Sequence, residues 1–246
     1  MGINGWDDEL NFNTQFSSQW DSLCHFTHSP LASDPEDTGA TYNGFRPTKK
    51  GLESPLTTST NPLPTIDHWH ARGCLVARGV LLDYKRYIEE KTGEKYHPLD
   101  GHRITVAELE AVAEKQGVEF KEGDVLLVRT GYTEMLEAPT PEDFAKFASQ
   151  TLSGVHGAVE TARWVWDHRF SAVAGDAHAF EALPPVGEDG AALPISELGE
   201  LFLFNPIYIS VLIVHVLFPS YRAHRFVRLD SVMLRNHFPI RFDDES

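Results

Sequence analysis

Apolar residues cluster in three short runs in the middle of the 246-residue chain, and polar residues bound each run. The runs lie at residues 74–82, 124–129 and 171–174 and consist largely of valine, leucine and alanine. Short continuous apolar runs of this kind are typical of buried strands. The pattern therefore predicts three buried strands, the last of which closes on Gly175 and Asp176.

Stretches with the spacing of helices separate these strands. Thr105 and Glu108 have the spacing of a capping box, which satisfies two free backbone amides at the start of a helix. The apolar stripe that follows ends near Gly117, as expected for a helix that stops at a glycine. Further helices are predicted at 141–147, which begins with a proline, and at 158–166. Strands that alternate with helices in this way predict an α/β domain.

Two stretches do not follow this alternation. Residues 29–64 contain many proline, glycine, serine and threonine residues, and a connection of this length is typical of a functional loop or lid. Residues 203–246 contain five arginines and no lysine, unlike the acidic sequence before them. The apolar segment Leu201–Phe218 is interrupted by a proline and by polar residues, so we expect it not to span a membrane.

Charge and cysteine content narrow the range of partners and locations. The chain has 21 basic and 36 acidic residues, and the net charge of −15 argues against nucleic acid and anionic membranes as partners. Its two cysteines, Cys24 and Cys74, provide no disulfide framework. The chain begins without the apolar run of a secretory signal, so we expect a cytoplasmic protein with a single domain.

Candidate chemistry concentrates near the start of the chain, in residues 13–26. Gln15, Gln19, Asp21 and His25 all have odd numbers, so in an extended strand their side chains would point to one face. A carboxylate and an imidazole with nearby amides suit a divalent ion such as zinc or manganese. The segment therefore predicts a metal site, although alternating polar residues are also common on a solvated strand.

The same segment resembles the signature of the metal-dependent cyclase family that includes the bacterial kynurenine formamidases, His-x-Gly-Thr-His-x-Asp-x-Pro-x-His-Phe. Asp21, His25 and Phe26 match this signature in residue and spacing, while Gln15 and Gln19 lie where it has two histidines. Three further segments are similar to the larger fungal and bacterial branch of the family: Arg78–Tyr84, Leu127–Tyr132 and Ala172–Asp176.

The resemblance implies the swivelling β/β/α fold of the cyclase family, in a single domain over residues 1–202. It also implies that the N-terminus is shorter than is usual in this branch, and that residues 203–246 form an atypical tail. The family's last glutamate ligand corresponds to Glu200, in the sequence Gly-Glu-Leu-Phe, but the histidine expected about a dozen residues earlier is missing. Asp176, which follows the third strand, is expected to orient a metal ligand or to polarise a histidine without contacting the metal itself.

By resemblance, the chain is a metal-dependent hydrolase or cyclase that acts on a linear amide of a small molecule. The reaction would be that of an arylformamidase, which converts N-formyl-L-kynurenine to kynurenine and formate. Asp21 and His25 would bind zinc or manganese, and Glu200 and Gln19 would be catalytic. Three residues would bind the substrate: Gln15, Trp20 and Phe26. The resemblance also implies a homo-oligomer.

The departures from the family signature support two alternatives. The missing histidine is compatible with a pseudoenzyme that binds a ligand without turnover. The change in composition after Phe202 is compatible with a truncated or misassembled version of a functional enzyme.

Overall fold

The structure is a computed structural model, and the secondary structure is described from its placed residues. These are residues 20–24, 39–41, 44–53, 59–177 and 179–186, together with three short strands at 211–213, 227–229 and 240–242. In chain order the elements are α1 (Lys49–Glu53), α2 (Ile66–Ala71), β1 (Gly79–Asp83), α3 (Tyr84–Thr92), β2 (Arg103–Ile104), α4 (Val106–Gln116), β3 (Val125–Arg129), α5 (Tyr132–Glu137), α6 (Pro141–Phe147), β4 (Gly154–Val155), α7 (Val159–Asp167), β5 (Ala172–Gly175), β6 (Val211–Ile213), β7 (Val227–Leu229) and β8 (Ile240–Phe242).

The main sheet has four parallel strands in the order β1-β3-β5-β6. Its central strand β3 pairs with β1 on one side and with β5 on the other, so that Leu127 lies between Leu81 and Ala174. β2 and β4 form a parallel pair, and β7 and β8 form an antiparallel pair. The predictions of an α/β fold and of three buried strands are confirmed, and the structure shows that the strands of the main sheet are parallel.

The first strand is shorter than its apolar run predicts. The run begins at residue 74, but β1 begins at Gly79. Cys74 has a φ of 67°, which is not a strand conformation. The carbonyl oxygen of Arg78 accepts a hydrogen bond from the backbone amide of Val125, the first residue of β3. Residues before Arg78 therefore lie beyond the end of the partner strand, and apolar character alone does not extend a strand that has no partner.

Helices cover one face of the main sheet. This first face carries Val80, Leu82, Leu126, Val128 and Val173, and buried residues of α4 and α7 pack against it. The buried residues of α4 are Val106, Leu109, Val112 and Ala113, at the spacing expected for one helical stripe. The core between helices and sheet therefore forms on this face.

The second face of the sheet carries the alternate residues of the same strands. It is a cluster of Val125, Leu127, Ala172 and Ala174, against which partly buried side chains pack. Those side chains come from segments before the main sheet in the chain: Trp20, Leu75 and Ala77, with Leu81 of β1 itself. The second face is thus covered in part by the segment that contains the metal motif.

Local sequence signals predict the ends of two helices correctly. Thr105 and Glu108 form the predicted capping box of α4, and Gly117 ends the helix with a φ of 67°. α6 begins with a second capping box, between Thr140 and Asp143, and has a proline in its first turn. Side-chain caps of this kind satisfy amides that have no partner within the helix.

Two helices that follow strands of the main sheet were not predicted from the sequence pattern. α3 has a short apolar stripe of Tyr84, Tyr87 and Ile88, of which only Tyr84 is fully buried. α5 has six residues, which is too short to show a helical period. Both begin within three residues of the end of a main-sheet strand, and α3 has local end signals in the N-cap Asp83 and the C-cap Gly93.

The sequence predicts a lid at residues 29–64 and an atypical tail at residues 203–246. The described part of residues 29–64 contains the short helix α1, and the tail contributes β6 to β8. In the part of the chain that the structure describes, no helix is long and apolar enough to cross a membrane.

Candidate functional site

The described part of the metal motif is residues 20–24, and its first residue, Trp20, packs against the second face of the main sheet. Trp20 joins the apolar cluster on that face, and Asp21 is only 8% exposed. A carboxylate removed from water needs hydrogen bonds or a cation to balance the lost hydration. Asp21 therefore lies where a carboxylate ligand would be shielded from bulk solvent.

The backbone of this segment turns at Leu23 and Cys24 instead of continuing as a strand. The Cys24 amide donates a hydrogen bond of 3.3 Å to the hydroxyl of Ser22, and local bonds of this kind favour turns over extended strands. The prediction of an extended strand through the motif is therefore wrong for this segment. Odd numbering does not by itself place Asp21 and His25 on one side.

Trp20 contacts a second tryptophan, Trp69 of α2. The two rings meet edge to face, with their centroids 5.8 Å apart and their planes at 80°. α2 is held by a hydrogen bond of 2.8 Å between His68 Nε2 and the carbonyl oxygen of Asn61. Asn61 also donates to the carboxylate of Asp67 in the first turn of the helix. The position of Trp69 is therefore set by a network of polar contacts.

The indole N–H of Trp20 is shielded from solvent, and no described residue accepts a hydrogen bond from it. Buried donors in proteins are paired with few exceptions, and each exception calls for a physical explanation. The residue as a whole remains partly exposed. This donor lies one residue before the candidate ligand Asp21.

Asp176 was expected to orient a ligand, but its carboxylate has a structural role. It is 2% exposed and accepts hydrogen bonds from the amides of Thr130 and Gly131, at 2.6 and 2.8 Å, and from the Thr130 hydroxyl, at 2.7 Å. These bonds tie the end of β5 to the turn between β3 and α5. The turn thus engages both carboxylate oxygens, and the expected role in orienting a ligand or a histidine stays a prediction.

Charged residues at the carboxyl ends of β1 and β3 pair with each other. Arg129 Nη1 contacts Asp83 at 2.7 Å, and its other nitrogen contacts Glu134, which also pairs with Lys85. At the opposite end of the strands, Arg78 makes two hydrogen bonds to the buried carboxylate of Asp124. These contacts give the family-like segments Arg78–Tyr84 and Leu127–Tyr132 a structural role.

Glu181 is a buried carboxyl group that the sequence pattern did not single out. It is 9% exposed and forms a bridge with Val155 of β4. Burial raises the pKa of Glu181 to about 7, and its own backbone amide only partly opposes this change. The signal in the sequence was a lone acid between apolar residues, Phe180 and Ala182, which both are buried.

Most of the predicted site residues lie outside the described part of the chain. These are Gln15, Gln19, His25, Phe26 and Glu200. Among the described residues no group of three or more histidine, cysteine, aspartate and glutamate side chains is arranged to hold a metal ion. The structure thus places two of the predicted site residues, Trp20 and Asp21, and the roles of the others stay predictions.

Comparison with known families gives one extensive match. Residues 2–182 match the sequence model of the Cyclase family, whose description is "Putative cyclase". No curated protein sequence matches the chain.

One solved structure supports the same family similarity. The crystal structure of a novel cyclase is 27% identical in sequence and has a TM-score of 0.55, over 75% of this chain and 54% of that one. The chain thus spans about half the length of that cyclase. Two isatin hydrolases of type A are weaker matches, each with a TM-score of 0.38. The enzyme from Labrenzia aggregata, bound to benzyl benzoate, is 15% identical over 56% of this chain and 47% of its own. The enzyme from Ralstonia solanacearum is 16% identical over 67% and 54%.

Proposed function

The chain belongs to the Cyclase family, and from that membership we propose that it is a metal-dependent hydrolase or cyclase acting on a linear amide of a small molecule. The specific reaction that we propose is that of an arylformamidase, in which N-formyl-L-kynurenine is hydrolysed to kynurenine and formate. The observation that carries the proposal is the burial of Asp21, which directly follows Trp20, a side chain that packs on the second face of the sheet and contacts Trp69.

The described residues fit one part of a metal site. The carboxylate of Asp21 is a hard oxygen ligand of the kind that zinc and manganese accept, and its burial would limit competition from water. His25 and Glu200 would complete the ligand set. A divalent ion in such a site activates water at neutral pH and polarises a carbonyl group.

The other residues of the motif would serve the substrate and the proton transfers. Gln15, Trp20 and Phe26 would hold an aromatic amide, because two amide or indole groups and an aromatic ring offer both hydrogen bonds and packing area. Gln19 would position the attacking water, and Glu200 would take up or deliver a proton at the scissile amide.

Metal content tests the site independently of any substrate. We expect purified protein to retain about one zinc or manganese per chain after dialysis, and Asp21→Asn to lose it, because the substitution replaces an anionic ligand with a neutral amide. Elemental analysis of both proteins gives the measurement. Asp167→Asn is a matched control, since Asp167 is an exposed aspartate on α7 and its loss should leave the metal in place.

Hydrolysis of N-formyl-L-kynurenine tests the reaction. We expect the wild-type protein to release kynurenine and Asp21→Asn to be at least about 100-fold slower, the order of loss associated with removing one strong transition-state contact. Circular dichroism would establish that the variant is folded. Full activity in a folded, metal-free Asp21→Asn protein would rule out the proposal, and ligand binding without turnover in the wild type would favour the pseudoenzyme.

A further inference from the structure

Helix α2 packs on the domain with little burial. None of its six residues is buried, whereas each of the helices α3 to α7 buries at least one residue, and α4 and α7 bury four each. Within the apolar clusters of the described residues, no member comes from α2. A segment with few buried apolar contacts is one that opens locally at a low free-energy cost.

The polar contacts of α2 described above join it to the residues just before it in the chain. The carbonyl oxygen of Asn61 lies 2.8 Å from His68 Nε2, and the side-chain amide of Asn61 donates to the carboxylate of Asp67. The hydroxyl group of Thr65, the residue before the helix, also donates to Asp67. These contacts make residues 61–71 a compact unit, the α2 unit, and they do not themselves attach that unit to the sheet.

The chain that leaves the α2 unit becomes anchored after two residues with unusual backbone angles. Gly73 and Cys74 have φ values of 106° and 67°, so two successive residues adopt left-handed conformations. Directly after them, Leu75 and Ala77 pack against the second face of the main sheet. Hinges in proteins are a few residues at the ends of elements, between a part that moves and a part that is anchored.

The side chain of Trp69 places the α2 unit beside residues 20–24, the motif segment. Trp69 meets Trp20 edge to face, with the ring centroids 5.8 Å apart, and Asp21 and Cys24 belong to the same segment. Asp21 is buried, and burial raises the pKa of the Cys24 thiol to about 11. Two groups that are shielded from water therefore lie within four residues of the ring contact.

We propose that the α2 unit is a hinged cover over the motif segment. The unit turns at Gly73 and Cys74, and the ring contact between Trp69 and Trp20 holds it closed. The closed cover shields Asp21, and opening separates the two rings and admits solvent and ligands to the segment. A cover of this kind excludes water during a reaction and opens for exchange. The inference rests on the proposed function only in taking the motif segment as part of the reaction site.

The thiol of Cys24 is a probe of opening that requires neither metal nor substrate. Iodoacetamide alkylates the thiolate form of cysteine, so a hydrated thiol reacts faster than a buried one. Peptide mass spectrometry measures Cys24 separately from Cys74, the other cysteine of the chain. We expect Trp69→Ala to speed the alkylation of Cys24 at pH 8 by about tenfold, the effect on the opening equilibrium of losing one aromatic pair.

A second variant tests the hinge away from the ring contact. Gly73→Ala adds a Cβ atom that meets no other atom within 4 Å, so it acts by disfavouring the left-handed backbone of the closed state. We expect this variant, too, to speed the alkylation of Cys24.

Each variant has a matched control. Gly93 also has a positive φ and open space around its Cβ position, but it ends α3, so Gly93→Ala is the control for the hinge. Trp166→Ala, at a tryptophan on α7 that is 52% exposed, is the control for the ring contact. Neither control should change the alkylation rate of Cys24.

Hydrogen exchange of the α4 amides distinguishes opening of the cover from unfolding of the domain. Faster alkylation in both Trp69→Ala and Gly73→Ala, with α4 as protected as in the wild type, supports the inference. An unchanged rate in either variant would overturn it, as would loss of protection in α4 or an equal effect in the controls. These outcomes do not depend on whether the protein binds metal or hydrolyses an amide, so the inference and the proposed function can fail separately.

Discussion

The buried carboxylates among the described residues have different partners, and this difference affects how the stability of the protein depends on pH. The carboxylate of Asp124 is paired with Arg78, and that of Asp176 accepts hydrogen bonds from a turn. Glu181 has no ion pair among the described residues, and burial raises its pKa from 4.5 to about 7. In a native protein, a carboxyl group in this state is protonated more readily than in the unfolded chain.

The pH dependence of stability tests this assignment of Glu181. Below pH 4.5 the carboxyl group of Glu181 is protonated in both the folded and the unfolded protein. Between pH 4.5 and about 7 it is deprotonated in the unfolded chain but still protonated in the folded protein, so the free energy of unfolding falls as pH rises. The loss amounts to about 3 kcal/mol at pH 8. We expect Glu181→Gln to abolish this part of the loss and to be more stable than the wild type at pH 8.

Urea denaturation at pH 4.5, 6 and 8 gives the required free energies of unfolding. Glu160→Gln, an exposed glutamate on α7, serves as the control and should follow the wild-type curve. Parallel curves for Glu181→Gln and the control would show that Glu181 titrates normally.

Close approach of two backbone segments is the main constraint on β4. A Cβ atom on Gly154 would lie 2.6 Å from the carbonyl carbon of Glu181 and 2.7 Å from the amide of Ala182. Contacts this short do not occur between unstrained atoms, and backbone cannot move aside as a side chain can. Glycine at this position is therefore required by the packing of residues 181–183 along β4.

Replacing Gly154 should destabilise the packing of β4 against residues 181–183. We expect Gly154→Ala to lower the free energy of unfolding by about 1–3 kcal/mol, the usual range for overpacking. Gly175→Ala is a matched control on β5, because its Cβ would make ordinary contacts at 3.6 Å with Phe180 and Val128. Thermal or urea denaturation of the two variants gives the comparison, and equal stabilities would contradict the proposed constraint.

The main sheet joins both packed faces into one structure. Leu126 points into the core under α4 and α7, while the next residue, Leu127, belongs to the cluster that contacts Trp20. Since the two faces share the same strands, neither can lose its packing without disturbing the other. We infer that they unfold together in a single transition.

Core truncations on the two faces test this cooperativity. Leu126→Ala and Leu127→Ala should each lower stability by about 2–5 kcal/mol, and far-ultraviolet circular dichroism and tryptophan fluorescence should report the same transition. Leu136→Ala, at a site that is 42% exposed, should change stability by no more than about 0.5 kcal/mol. Separate transitions for the two probes would show that the faces are independent.

Local patterns in the sequence were sufficient for much of the fold. The capping box at Thr105 and Glu108, the glycine end at Gly117 and the start of α6 all depend on residues within four positions of each other. The strands depend on apolar runs that are also local. The family resemblance, through Asp21 and its neighbours, predicts the site region and its chemistry.

Other features depended on residues far apart in the chain. Asp176 bonds to a turn 46 residues earlier, and Trp20 packs on strands more than 100 residues away. The sequence by itself determined the α/β alternation, the helix caps and the family, because these follow from short-range periodicity and side-chain chemistry. Only the tertiary structure decided which carboxylates are structural, where β1 begins and which face receives Trp20, since hydrogen-bond partners and burial depend on chain segments that meet only after folding.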